Sequence, residues 1–186
     1  MELNFKQLKA ALHTAPKKDV RYYLNGVFVE VRSGFYRIVS TDGSNMSVFH
    51  NAHDDAVADF DMIIPREVID NLPKQIGLTV SLTQLDTNTY RLGSTIFTPI
   101  EGRYPDYRRV LPKETSGQTA HYPLNSLGAF GKIAATVGKS DARVDVWYNG
   151  TFGAAVTIEG HPEFLGITMP YGGEGKISKY PTWVHL

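Results

Sequence analysis

The sequence predicts an α+β fold, with helices layered on antiparallel sheets. Three observations carry that expectation. One pattern, a short strand, an amphipathic helix and then about three strands, begins three times at a spacing of roughly 55–60 residues. The strand-like runs are joined at hairpin length through turn residues such as Ser33-Gly34 and Thr41-Asp42-Gly43-Ser44, which favours antiparallel pairing. Each repeat offers one helix to cover one sheet face, which demands layers.

The first repeat opens with a strand at 3–5. An amphipathic helix follows at about 6–14, carrying Leu8 and Leu12 and stopping before Pro16. Residues 22–31 alternate as a strand around Leu24, Val27, Val29 and Val31. Two further strands are expected at 35–40 and 46–49, and 50–60 reads as a polar loop. The second repeat runs Asp61-Met62-Ile63-Ile64-Pro65 into a short helix at 66–72, with Val68, Ile69 and Leu72 inward. Strands at 78–83, 89–92 and 95–100 follow. In the third, Thr119-Ala120-His121-Tyr122-Pro123 echoes the strand before Pro65. A helix at 124–137 carries Leu124, Leu127, Phe130 and Ile133 at helical spacing, followed by strands at 144–148, 154–159 and 164–169. The expected organisation is a two-unit domain at 1–115 (units 1–60 and 61–115), a single unit at 116–171, and an aperiodic tail at 172–186. Open sheet edges in such units must be paired or protected, and edge-to-edge pairing between subunits builds rings or filaments.

Composition narrows the function classes. A hydrophobic share of 42% with 11% aromatics supplies a core. No apolar run approaches the roughly 18 residues of a membrane span, and the N-terminus lacks a signal-peptide pattern, so a cytoplasmic protein is expected. Without cysteine there are neither disulfides nor thiolate metal sites. Nineteen basic residues balance nineteen acidic ones. A tight, electrostatically driven nucleic-acid binder is normally basic, so any DNA contact here is local, weak or topological.

One stretch follows the strands of the second repeat without their alternation: Glu101-Gly102-Arg103-Tyr104-Pro105-Asp106-Tyr107-Arg108-Arg109-Val110-Leu111-Pro112. Its prolines restrict it to extended or turn geometry. Arg103, Arg108 and Arg109 carry rigid multi-donor heads that fix one segment against another or against phosphate.

This stretch resembles a segment of the bacterial sliding clamp, the beta subunit of DNA polymerase III. So do Arg21-Tyr22-Tyr23-Leu24-Asn25-Gly26, Ser40-Thr41-Asp42-Gly43 and Ile63-Ile64-Pro65-Arg66, in that order. The likeness to the middle domain of that family covers about 1–115. A weaker likeness, at 154–159 and Ile167-Thr168-Met169-Pro170, points to part of the C-terminal domain. The family's first domain has no counterpart here, which suggests an accessory or mobile-element version.

The resemblance implies a binding protein rather than an enzyme, without cofactor or metal, and two surfaces. One is an apolar pocket for short partner peptides of polymerases and other clamp-motif proteins. It falls on Leu24, Thr41, Gly43, Ser44, Asn45, Met46, Pro105, Arg109, Val110, Ile167, Thr168, Met169 and Pro170. Apolar side chains beside turn residues suit a peptide cleft; the same residues also read simply as core and turn positions. The family's His-Arg-Leu run is replaced by Ser44-Asn45-Met46, which removes a cation. The second surface is a helix-lined face toward duplex DNA. It falls on Lys6, Lys9, Lys17, Lys18, Tyr22, Tyr23, Arg66, Lys74, Lys132 and Lys139, although scattered lysines also read as solvated helix faces. Weak phosphate contacts permit sliding.

A ring of twelve units would take four chains of three, with a clamp loader as a further partner. The alternative is a non-encircling module that competes for, or co-assembles with, the full-length clamp. His50-x-x-His53-Asp54-Asp55 lacks a third shell and ranks last as a metal-dependent enzyme. Gly172-Gly173-Glu174-Gly175-Lys176 lacks phosphate-loop spacing.

Overall fold

The computed structural model describes residues 1–54, 56–73, 77–138 and 141–172. Its layers follow from side-chain alternation along the strands. Strand β1 (Glu2–Asn4) runs straight into α1 (Phe5–Ala11), where the Asn4 side chain accepts the Gln7 amide proton at 3.1 Å. That cap satisfies one orphan donor of the first turn. Strands β2 (Gly26–Arg32), β3 (Phe35–Thr41), β4 (Asn45–Ala52) and β5 (Phe60–Pro65) follow, then α2 (Arg66–Asp70). Strands β6 (Thr79–Asp86), β7 (Thr89–Leu92) and β8 (Thr95–Phe97) complete the second repeat. Helix α3 (Leu124–Val137) leads into β9 (Val144–Trp147), β10 (Ala154–Ile158) and β11 (Phe164–Thr168).

Two antiparallel sheets result. One runs β1-β6-β7-β8, and the other runs β5-β2-β3-β4-β11-β10-β9. The repeats are therefore not separate layers. Strand β1 pairs with β6 of the second repeat (Leu3 opposite Val80), while β5 returns to pair with β2 of the first (Val29 opposite Met62). The third repeat joins the large sheet through β4 and β11, with Met46 opposite Ile167.

Alternation gives the large sheet two apolar faces. Val27, Val29, Val31, Ile38, Phe49, Ile64 and Val156 point to the helices, whose Leu8, Ile69, Phe130 and Ile133 are fully buried against them. Leu24, Val39, Met46, Val48, Ile63, Ala155 and Ile167 form a second cluster on the opposite face, closed by Tyr104 and Tyr107. The segment after β8 crosses this outer face as a strap. The Ile100 amide donates to the Ile63 carbonyl at 2.9 Å, and Tyr104 stacks on Phe28 with centroids 4.7 Å apart.

Several sequence expectations are corrected. Residues 22–24 form a 3-10 turn, and the strand begins only at Gly26. Strand β4 extends through His50 to Ala52, so that histidine is not in a loop. The strap, expected to be extended or turned, contains one 3-10 turn at Tyr107–Val110, beyond the reach of Pro105. Residues 119–122 make no strand: β1 and β5 are each held by the first strand after the helix of the other repeat, and the third repeat has no such exchange partner among the described residues. Leu124 is 87% exposed and Leu127 also faces solvent, because α3 turns Phe130 and Ile133 to the sheet instead. The tail beyond 172 lies outside the described residues. Among the described residues no helix is long and apolar enough to cross a membrane.

Candidate functional site

The hollow with most of the expected residues lies where the first repeat, the strap and the third repeat meet. Its volume is about 220 Å³. Leu24, Met46 and Ile167 are buried at its base, and Val110 and Met169 stand half exposed at its rim. Thr41, Gly43, Ser44, Asn45 and Pro105, also expected there, line it as well. An adjoining hollow of about 350 Å³ shares Ser44, Asn45 and Met169 and takes in Pro170 and Ser126.

The turn at 41–45 has a well-determined shape. The Asp42 carboxylate accepts the amide protons of Ser44 and Asn45, both at 2.7 Å, and the Thr41 hydroxyl accepts the Gly43 amide proton at 3.0 Å. Gly43 sits at φ +94°, where a side chain would also meet the Arg21 guanidinium. Asn45 then joins this turn to the third repeat. Its carbonyl accepts the Thr168 hydroxyl proton at 3.0 Å, its amide donates to Asp42 at 3.1 Å, and the Met169 backbone amide donates to the Ser44 carbonyl at 2.8 Å. Asn45 thus forms a buried seam with Thr168, within a run that lacks the expected cation.

Three expected pocket residues stand elsewhere. Arg109 is 83% exposed and pairs with Asp106, because the 3-10 turn points it outward. Thr168 is buried in the seam with Asn45. Pro170 lines the adjoining hollow. Three pocket residues were missed: Arg21, Asp106 and Tyr107. Arg21 brings a cation back to the mouth, donating to Asp19 at 2.7 Å and to the Asp42 carbonyl at 3.0 Å. The hydrogen bonds from the Arg21 side chain and backbone amide to Asp19 hold its carboxyl down at about 2. The Arg21-Tyr22-Tyr23 motif carried the residue in view, but nothing in the spacing says it reaches across to a turn about twenty residues on.

The strap is pinned by a buried acid. Glu30, 1% exposed, accepts the Tyr107 hydroxyl proton at 2.6 Å and an Arg37 proton at 3.3 Å, and it pairs with Arg108 and with Arg32 at 3.2 Å. Burial pushes its carboxyl up, but the hydrogen bonds from Tyr107 and Arg108 and the charges of Arg108 and Arg32 outweigh that and hold it below the ordinary value. On the far side of the strap is a larger cleft of about 700 Å³. Several of its charges are already matched there, Arg32 to Asp61 at 2.7 Å and Arg108 to Glu30.

On the helix side, α1 packs on α3 and touches α2. Lys6, Lys17, Lys18 and Lys132 are exposed, as is Tyr22, while Tyr23 is half-buried. Two expected DNA-facing cations are committed to the fold. Arg66 donates to the carbonyls of Leu12 and Ala15 at 2.8 and 2.7 Å and pairs with Asp70. Lys9 donates to the carbonyls of Asp70 and Leu72, closing the C-terminal end of α2. Lys74 and Lys139 lie outside the described residues. His50 accepts a proton from Arg37 at 3.1 Å, and the His53 ring meets the Arg32 carbonyl at 3.0 Å.

No family model matches the chain. Curated relatives do. The beta sliding clamp of Buchnera aphidicola is 38% identical over 104 residues, 53% of this chain and 28% of that protein. That of Escherichia coli K12 is 35% identical over 112 residues, 57% and 31%. The match to the Vibrio cholerae clamp is 30% identical over 175 residues, 83% of this chain and 48% of that one, and so reaches the third repeat. Over most of its length the chain is similar to bacterial sliding clamps. It spans less than half the length of these relatives. Solved structures agree on the fold: the clamp from Caulobacter crescentus matches with a TM-score of 0.73 at 16% identity, over 93% of this chain and 65% of that one. The Streptococcus pyogenes beta subunit matches at 0.70 and 16%, over 92% and 65%.

Proposed function

We propose that this sliding-clamp relative tethers a polymerase or other DNA-processing protein by receiving a short apolar peptide in the hollow between the first repeat, the strap and the third repeat. The observation that carries this reading is the pocket itself. Buried apolar residues from three separate segments converge there, rimmed by a rigid turn and a cation, as helix or extended peptide recognition requires. The chain then works by binding rather than catalysis. In this reading residues 1–115 form a clamp-type domain of two interleaved units and 116–171 a single further unit. Homo-oligomeric assembly, four chains if twelve units close a ring, would set the exposed Lys6 and Lys132 helix faces toward duplex DNA, and a loader would open it. The commitment of Arg66 and Lys9 to backbone carbonyls favours a second reading, a module that engages clamp partners without encircling DNA.

The test is peptide affinity. A fluorescein-labelled octapeptide with adjacent leucine and phenylalanine should bind the parent in an anisotropy titration. Met169→Ala, which strips the rim, should weaken it roughly five- to tenfold through lost apolar contact. Arg109→Ala should bind within about twofold of the parent, as expected of an exposed ion pair. Equal binding by Met169→Ala would move the site elsewhere.

A further inference from the structure

The strap contributes Pro105, Tyr107 and Val110 to the pocket, yet its 3-10 turn has little backbone hold on the sheet. The backbone hydrogen bonds there are local, Arg109 amide to Asp106 carbonyl at 3.2 Å and Leu111 amide to Arg108 carbonyl at 3.3 Å. Arg109 points to solvent and Val110 is half exposed. What reaches the sheet is side chains, and two of them meet one acceptor. Alternation along β2 sets Phe28, Glu30 and Arg32 on the outer face beneath the strap, with Glu30 in register between Arg37 of β3 and Asp61 of β5. Tyr107 donates to one carboxylate oxygen of Glu30 and Arg108 to the other.

We propose that Glu30 is the positioning residue of the pocket: its buried carboxylate fixes the Tyr107–Val110 turn against β2 and so sets the wall that a peptide meets. The inference rests on the peptide-pocket reading above. A buried charge is costly unless paired and hydrogen-bonded. With the strap lifted, Glu30 would keep only Arg32, itself shared with Asp61, and Arg37, itself shared with His50. With it docked, each carboxylate oxygen gains a further donor, Tyr107 on one and Arg108 on the other. Docked strap and ionised Glu30 therefore stabilise each other. Tyr107 is the link, since it donates to Glu30 and also lines the pocket. Arg108 adds a second pin, its guanidinium lying 4.8 Å from the Tyr107 ring centroid and paired with Asp106 as well as Glu30. Glu30 itself does not line the pocket, so its effect on a peptide passes through the strap.

The test uses the full chain with 3-fluorotyrosine placed at position 107 and the same fluorescein-labelled octapeptide. Glu30→Gln keeps an acceptor for Tyr107 but removes the charge. It should weaken the peptide at least about fivefold, and the fluorine resonance at 107 should shift or broaden. Arg108→Gln, which alters only a half-exposed side chain, should move both readouts in the same direction and covers the case in which Glu30→Gln does not fold. Leu92→Ala, a core change in the four-stranded sheet, should lower stability yet leave affinity and resonance unchanged. If Glu30→Gln or Arg108→Gln binds like the parent, or binds weakly with an unmoved resonance, the inference is overturned. A parent that binds no octapeptide overturns the pocket reading and this inference with it. That failure is recognisable because it appears before any variant is made.

Discussion

Glu30 shows how much one buried side chain determines here. Its folded carboxyl is held below the value of an unfolded glutamate, about 4.3, by Tyr107 and Arg108 against the upward push of burial. The unfolded chain therefore binds its proton first as pH falls. The stabilisation is fully present above about pH 4.3 and is lost as pH drops through the lower folded value. Glu30→Gln should cost on the order of 2–3 kcal/mol at pH 7, as expected for breaking a buried, charge-assisted set of hydrogen bonds. Urea unfolding of parent and variant should give a constant difference from about pH 5 to 7 that narrows below about pH 4. A difference independent of pH would show that the carboxylate charge is not what holds the strap. This residue was hard to read in the sequence. Val29-Glu30-Val31 alternates as a strand should, but an acid at an outward position looks solvated until a strap is known to cover it.

Helices and strands were more legible than their pairing. Helix α3 matches its expected span because Phe130 and Ile133 recur at helical spacing and Pro123 marks its start. The alternation of Val27, Val29 and Val31 marked β2 in the same way. The exchange of β1 and β5 between the first two repeats was not legible, since local pattern states that a strand exists but not which strand it joins. Leu124 and Leu127 extended the apolar spacing of α3 past the part the sheet covers. Asn45 was read as a pocket position and as part of a run that lost a cation, not as a join to the third repeat. Its carbonyl accepts from Thr168 and its amide donates to Asp42, so Asn45→Ala leaves buried partners unsatisfied. That variant should lose about 1–3 kcal/mol in denaturant unfolding. Its third repeat, 141–168, should also exchange amide protons faster than β2 and β3. Uniform exchange across the chain would mean that the seam does not secure the third repeat.

At the scale of the whole molecule, the strap crosses the outer face of one seven-stranded sheet, and the three helices cover the other face. The pocket lies on the strap side and the exposed lysines on the helix side, which would allow one face to hold a partner while the other passes DNA. The large sheet ends at β5 and β9, and the small one at β1 and β8. Edges of this kind invite pairing between chains. Light scattering should therefore give a mass above that of one 20.7 kDa chain, four times it for a twelve-unit ring. A strictly monomeric chain would leave the non-encircling reading. The pocket is tested more directly by the four methionines. Met46 and Met169 line it, whereas Met1 and Met62 line other hollows. In a protein labelled at its methionine methyl groups, titration with the leucine-phenylalanine octapeptide should shift the Met46 and Met169 resonances saturably and leave Met1 and Met62 in place. Saturating shifts at Met1 or Met62 with Met46 and Met169 unmoved, or no shift at any of the four, would contradict the assignment of this pocket as the partner site.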